Sequence, residues 1–217
     1  MSTENTNPNL KELILEKYQE YLLLNGKNPA SVYAFCKDLD ISESDFYQHF
    51  ADFDQIAAQF WTSLNESTLA RLEGTGEWAE FSTREKFLSY YFSFFEGLKS
   101  SRSYALLILK QVNIAIPKSA SELNELKKDF KNWAKVVISE GQQNNEIAGR
   151  SKLNDLYDDL FWVQFLFLLD YWRKDRSAGF EGTDEAVEKS VNLAFDLIEK
   201  NALDSAFDFG KFIFQNR

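Results

Sequence analysis

The chain has 217 residues, 44% of them hydrophobic and 27% charged, with 34 Asp and Glu against 24 Lys and Arg. That size and balance suit a soluble globular protein with one large domain, or a small domain joined to a larger one. A net charge of −10 argues against an anionic membrane or a broad nucleic-acid surface as partner.

The single Cys excludes an internal disulfide and fits a reducing cytoplasm. The polar start, Met1–Leu10, reads as lacking the apolar core of a secretory signal. Leu10–Leu24 predicts the first helix, with Leu13, Ile14, Lys17, Tyr18, Tyr21 and Leu22 on its inner side, and Asn25-Gly26 ends it. Ser31–Leu39 reads as a short helix burying Val32, Phe35, Cys36 and Leu39. Asp40-Ile41-Ser42 then turns the chain, with Asp40 tolerating a left-handed backbone. Ser42 opens a third helix through Phe50 with an S-x-x-[DE] start, its acid being Asp45. Phe46, Tyr47 and Phe50 form its expected apolar stripe, and Glu43, Ser44, Asp45, Gln48 and His49 form its polar face. Two short helices, a tight turn and an outward polar face describe a helix-turn-helix.

A long helix over Asp52–Leu72 follows, through Phe53, Ile56, Ala57, Phe60, Leu64 and Leu72, and acts as a mechanical link into the second half. Gly74-Thr75-Gly76 breaks the pattern. Further helices are expected at Thr83–Leu98, Ser101–Ile116 (stopped by Pro117), Ser119–Gly141, Lys152–Arg176 and from Thr183 to about Asn201, with a last one in Ala202–Arg217. The run Leu160–Leu169 is half a membrane span and is broken by Gln164, so it reads as a buried helix. Asp155, Asp158 and Asp159 read as a solvated acidic face at a helix start. The chain is expected to be all-α: a three-helix helix-turn-helix domain over 1–54, then a larger helical domain over 55–217 for ligand binding and dimerisation.

The run Ile14–Phe60 resembles the N-terminal domain of TetR/AcrR-type transcriptional regulators. The resemblance rests on Gly26, Ser31, the Ile41-Ser42 turn and the Tyr-x-x-Phe motif Tyr47-Gln48-His49-Phe50, in order and at matching spacing. It implies that Ser31, Tyr47 and His49 touch phosphates, that Ser44, Asp45 and Gln48 face base edges, and that Ser42 also belongs to the DNA-binding face. The second half is similar to that family in helix count and order, and Asp170–Ile198 looks like the C-terminal domain of Bacteroidetes TetR-like proteins. The family pairs its last two long helices into a four-helix dimer interface, which here would use Lys152–Arg176 and Thr183–Asn201. Three positions depart from the family pattern: Glu43 stands where a Lys or Arg is usual, Phe53 where a Lys is usual, and Asp40 where a Gly is usual. Residues 1–54 carry four Lys and ten acidic residues, the opposite of the sign that phosphate contact favours.

Nothing in the sequence assembles a catalytic or metal site. The one His and the one Cys both fall in the helix-turn-helix, and no Gly-rich phosphate loop occurs. The aromatic content is 16%, and Tyr91, Phe94, Phe95, Trp133, Phe165 and Trp172 form a candidate lining for a small apolar ligand. The expected function is that of a cytoplasmic, homodimeric, cofactor-free regulator whose binding to duplex DNA responds to such a ligand. The other reading is a TetR-like protein whose acidic helix-turn-helix acts through protein contact.

Overall fold

The computed structural model describes residues 8–110, 121–147 and 154–198, and every regular element within them is a helix. Those elements are α1 (Pro8–Asn25), α2 (Val32–Asp38), α3 (Glu43–Tyr47), α4 (Phe53–Glu73), α5 (Thr83–Ser100), α6 (Arg102–Leu109), α7 (Asn124–Gln143), α8 (Asn154–Lys174) and α9 (Glu181–Ile198). Short 3-10 turns lie at Trp78–Glu80, Ser121–Leu123 and Ala178–Phe180. The helix expected over Ala202–Arg217 and the second half of Ser101–Ile116 lie outside the described residues.

Two compact units emerge from the packing: Met1–Leu64 with Leu98–Leu126, and Asn65–Gly97 with Lys127–Arg217. Helices α4 and α5 each contribute residues to both. Within the first unit the first turns of α4 group with the helix-turn-helix, and α1 packs on α6.

In the first unit the caps are those written in the sequence. Gly26 adopts φ +66° and its N–H donates to the Leu22 carbonyl at 2.8 Å, closing α1. Ser31 Oγ accepts from Ala34 N–H and starts α2. At the other end Asp40 takes φ +55°, Ile41 N–H reaches the Cys36 carbonyl and Asp40 N–H the Lys37 carbonyl. That pair of bonds is a Schellman closure with an Asp in the position glycine usually fills. Asp52 Oδ1 accepts from Gln55 N–H and begins α4. Between these ends the helices close over a cluster of rings. Tyr18 stacks on Phe53 at 5.2 Å, and Phe35 and Phe46 meet Phe53 edge-on at 5.6 and 5.9 Å. The Phe at position 53 is thus a half-buried ring that ties α1, α2 and α3 to the start of α4.

Helix α3 is shorter than its hydrophobic pattern suggested. It stops at Tyr47, and Gln48–His49 turn the chain so that Phe50 returns to the core. Phe46 and Phe50 are buried, four residues apart on one side, whereas Tyr47 lies about 100° round the helix and is 52% exposed. The expected three-residue stripe is therefore a two-residue stripe with an outward tyrosine.

The second unit is built on α5, whose Phe87, Tyr90, Tyr91, Phe94 and Phe95 are all buried. Their spacing of three and four residues faces them to α7 and α8. Phe87 stacks on Phe161 at 4.0 Å, Tyr90 on Trp133 at 4.4 Å, and Phe94 meets Phe165 edge-on at 5.1 Å. Each fully buried ring adds about 2–3 kcal/mol of apolar transfer. The phenols need partners. Tyr90 donates to Asn65 Oδ1 at 2.7 Å, and Tyr91 donates to the Phe161 carbonyl at 3.2 Å. Burial pushes both phenol pKa values well up, so they remain neutral donors. Asn65 and Thr68 continue the buried row of α4 begun by Trp61, a polar interruption that apolar periodicity does not reveal.

Asp158 corrects the reading of its cluster as a solvated face. It is 1% exposed and pairs with Lys131 at 3.1 Å and Lys135 at 3.6 Å, while Asp159 takes Lys131 at 2.7 Å. The reason is tertiary: α7 brings lysines four residues apart against the first turns of α8. Among the described residues no group of His, Cys, Asp or Glu is arranged to hold a metal ion.

Candidate functional site

The outward side of the helix-turn-helix is set by the capping of α3. Ser42 Oγ accepts from Asp45 N–H at 3.1 Å, and Asp45 Oδ2 accepts from Ser42 N–H at 3.1 Å and from Ser42 Oγ at 2.7 Å. This reciprocal box fixes the helix start. It also engages the Asp45 carboxylate, whose pKa is lowered by the Ser42 side chain and backbone bonds. Of the residues expected at base edges, Ser44 and Gln48 are exposed, and Asp45 is half-buried and tied to its cap. Of those expected at phosphates, Ser31 and Tyr47 are exposed, as is Ser42 of the same DNA-binding face. His49 is half-buried, and its Nε2 is covered by protein and has no hydrogen-bond partner.

The charges around this face are uneven. Lys27 and Lys37 are exposed, as are Asp38, Asp40, Glu43 and Asp52. Lys11 is turned inward, donating to Gln59 Oε1 at 3.1 Å and lying over the Phe50 ring, and Lys17 pairs with Glu20. Two of the four N-terminal lysines are thus held by neighbours on α1, on α4 and in the turn that follows α3.

Within the second unit, Tyr91, Phe94, Phe95, Phe165 and Trp172 are all buried, while Trp133 is half-buried. They come together. Phe165 lies 6.2 Å from Tyr91, 5.1 Å from Phe94 and 6.4 Å from Phe95, and Phe95 lies 6.5 Å from Trp172. Trp133 is brought in through Phe130 and Tyr90 instead. The rings pack against one another, so a ligand among them would separate rings already in contact.

A wide apolar groove of about 700 Å³ lies elsewhere in the same unit, along α8 and α9. Leu160, Phe167, Tyr171, Leu193 and Leu197 line it, with Val163 exposed on the same helix; Phe167 is 53% and Leu193 61% exposed. Large side chains seldom stand out in such a row on a surface facing only water. Gln164 and Ser190 add a polar pair in the floor, Gln164 Nε2 donating to Ser190 Oγ at 3.0 Å. No described helix is long and apolar enough to cross a membrane.

A capped helix-turn-helix followed by a helical domain with a bare two-helix face defines a regulator of the TetR class by fold. The chain belongs to that family: residues 86–213 match the model of the tetracyclin repressor-like C-terminal domain. Solved structures agree in fold. A protein assigned to the TetR family of transcriptional regulators from Syntrophomonas wolfei str. Goettingen superposes with a TM-score of 0.70 at 14% identity, covering 90% of this chain and all of that one. A protein of unknown function from Rhodococcus sp. RHA1 gives 0.58 at 15% identity, covering 92% and 100%. A TetR-family regulatory protein from Rhodococcus RHA1 gives 0.50 at 13% identity, covering 88% and 97%. No curated protein matches the sequence significantly.

Proposed function

We propose that the protein is a homodimeric regulator that binds duplex DNA through α2 and α3, with a small apolar ligand altering that binding. The observation that carries the DNA reading is the division of α3. Phe46 and the following Phe50 lock it inward, which leaves Ser44, Tyr47 and Gln48 presented outward. Hydroxyl and amide side chains on an exposed helix after a tight turn suit base edges and phosphates. Ser31, Ser42 and Tyr47 supply phosphate contacts on this reading, and Ser44 and Gln48 supply base contacts. Asp45 serves first as the cap, and its second carboxylate oxygen remains available to a cytosine amino group.

The dimer is supported by the α8–α9 face. A second copy laid symmetrically on Leu160, Val163, Phe167, Leu193 and Leu197 removes from water the apolar row that a monomer leaves exposed. The ligand reading uses Tyr91, Phe94, Phe95, Trp133, Phe165 and Trp172, and it requires the ligand to enter by parting these rings. An apolar compound would do so at least cost, because no cation among them waits for an anion.

Mobility-shift assays with the gene's own upstream duplex test the DNA reading. Wild type is expected to retard it at low salt, and Gln48→Ala and Tyr47→Ala are expected to weaken the complex while the protein keeps its dimer and its melting temperature. Retardation unaffected by either change would remove α3 from the interface.

A further inference from the structure

Trp78, Phe81 and Trp133 hold three half-exposed rings around a second cavity of the Asn65–Gly97 and Lys127–Arg217 unit, about 430 Å³ in volume. Its walls come from three stretches of chain. The 3-10 turn gives Trp78, the start of α5 gives Lys86, and α7 gives Trp133, Val136, Val137 and Glu140 at the spacing of one helical face. Glu73 adds a second carboxylate. The rings are anchored: Trp133 stacks on Tyr90 at 4.4 Å and packs on Phe87 at 4.9 Å, and Trp78 meets Phe81 at 6.0 Å.

The cavity already holds one ammonium group, that of Lys86. The Lys86 ammonium lies 5.7 Å from the centre of the Trp78 ring and 2.8 Å from Glu140 Oε2. An indole face and a carboxylate converging on one ammonium are the two elements that hold organic cations. Glu73 and Glu140 against Lys86 leave the lining with one excess negative charge. Glu140 is half exposed, so water screens its pair with Lys86 and another cation can exchange for it. A hard metal ion is a poor fit, because aromatic walls take the place of the oxygen ligands it needs.

We propose that this cleft binds a small organic cation, a protonated or quaternary amine with an apolar body. Its charged head displaces the Lys86 ammonium from Glu140, and its body lies between Trp78 and Trp133. The site shares Trp133 with the ring cluster assigned to the apolar ligand, takes its other walls from different residues, and does not depend on DNA binding.

The test is calorimetric titration of the full chain with benzyltrimethylammonium, with uncharged benzyl alcohol as the control and tryptophan fluorescence as a second readout. Wild type is expected to bind the cation saturably and the alcohol far more weakly. Glu140→Gln and Trp78→Leu are each expected to weaken binding about fivefold or more. Lys86→Met removes the internal competitor and is expected to tighten it about fivefold, with Lys86→Gln as the alternative should the Met variant melt early. Absence of saturable binding in both wild type and the Lys86 variants overturns the proposal. So does equal binding of benzyl alcohol, or binding unchanged in Glu140→Gln and Trp78→Leu, which would put the cation elsewhere.

Discussion

A Cβ on Gly141 would lie 2.1 Å from Thr83 Oγ1 and 3.1 Å from Thr83 Cβ, so α7 and the first turn of α5 meet where only glycine fits. Thr83 is buried, its N–H donates to Glu146 Oε2 at 2.6 Å, and the Glu146 N–H returns to the Gly141 carbonyl at 2.8 Å. The end of α7 thereby caps the start of α5. Gly→Ala inside an ordinary helix gains about 1 kcal/mol. Here the sign reverses: Gly141→Ala is expected to lose about 1–3 kcal/mol, as overpacking against the buried Thr83 side chain does. Urea unfolding of the two proteins measures it, and a raised midpoint would show that α5 and α7 give way.

Asp175 is expected to make stability depend on pH in the acid range. Burial raises its pKa, but the Ser177 and Thr183 N–H and hydroxyl groups, all donating to its carboxylate, outweigh that and hold it at about 2, below the ordinary 3.8. A depressed folded pKa gives stability that is complete above the unfolded value and is lost as pH falls from about 4 through about 2. With solvent screening the contribution is on the order of 1–2 kcal/mol. Asp175→Asn should therefore be less stable than wild type at pH 6, and the gap should narrow by pH 3 and close further toward pH 2. A gap independent of pH would mean that charge plays no part in bracing the α8–α9 turn.

The exposed ridge on α8 and α9 predicts a dimer that one charge can split. Phe167→Glu is expected to weaken self-association by about 2 kcal/mol or more, roughly thirtyfold. Leu193→Glu should do the same, while Glu185→Gln at the edge should do little. Sedimentation velocity across a concentration series reads all three. A wild-type protein that sediments as a monomer at micromolar concentration contradicts the interface.

Much of the helix-turn-helix was legible because its signals are local. Gly26, Ser31, Asp40 and Ser42 act on backbone groups within five residues of themselves, and each does what its residue type dictates. The run Leu160–Leu169 reads as a buried helix, yet Leu160, Val163 and Phe167 are exposed, as are Leu193 and Leu197. The rest depended on partners distant in sequence. Asp158 reads as a surface acid until α7 places Lys131 against it. Asn65 reads as an exposed polar residue until Tyr90 arrives to donate to it. The end of α3 was misplaced because Phe50 continues the helical spacing although its chain has already turned. At the candidate sites, the outward positions of Ser44 and Gln48 follow from periodicity, whereas Tyr47, which periodicity puts in the apolar stripe, is outward in the structure. That Tyr91, Phe94, Phe95, Phe165 and Trp172 fill a core, and that Trp133 borders an open cavity, follows only from packing.

The most direct test of DNA recognition is the salt dependence of binding, because the charges around α2 and α3 fix its size. Each phosphate neutralised by a cation adds about 0.9 to the slope of log affinity against log salt. With Lys11 and Lys17 engaged elsewhere, Lys27 and Lys37 are the exposed lysines of the N-terminal residues, so a dimer should show a slope of about 2–4, shallow for a DNA-binding dimer. Glu43→Lys, beside the turn, should strengthen binding to any duplex more than it sharpens sequence preference. Fluorescence anisotropy of the labelled upstream duplex over a salt series measures both. The account predicts specific binding by wild type with that shallow slope, and tighter, less selective binding by Glu43→Lys. Failure of both proteins to bind at low salt, with fold and dimer intact, would contradict it and leave the acidic face to a protein partner.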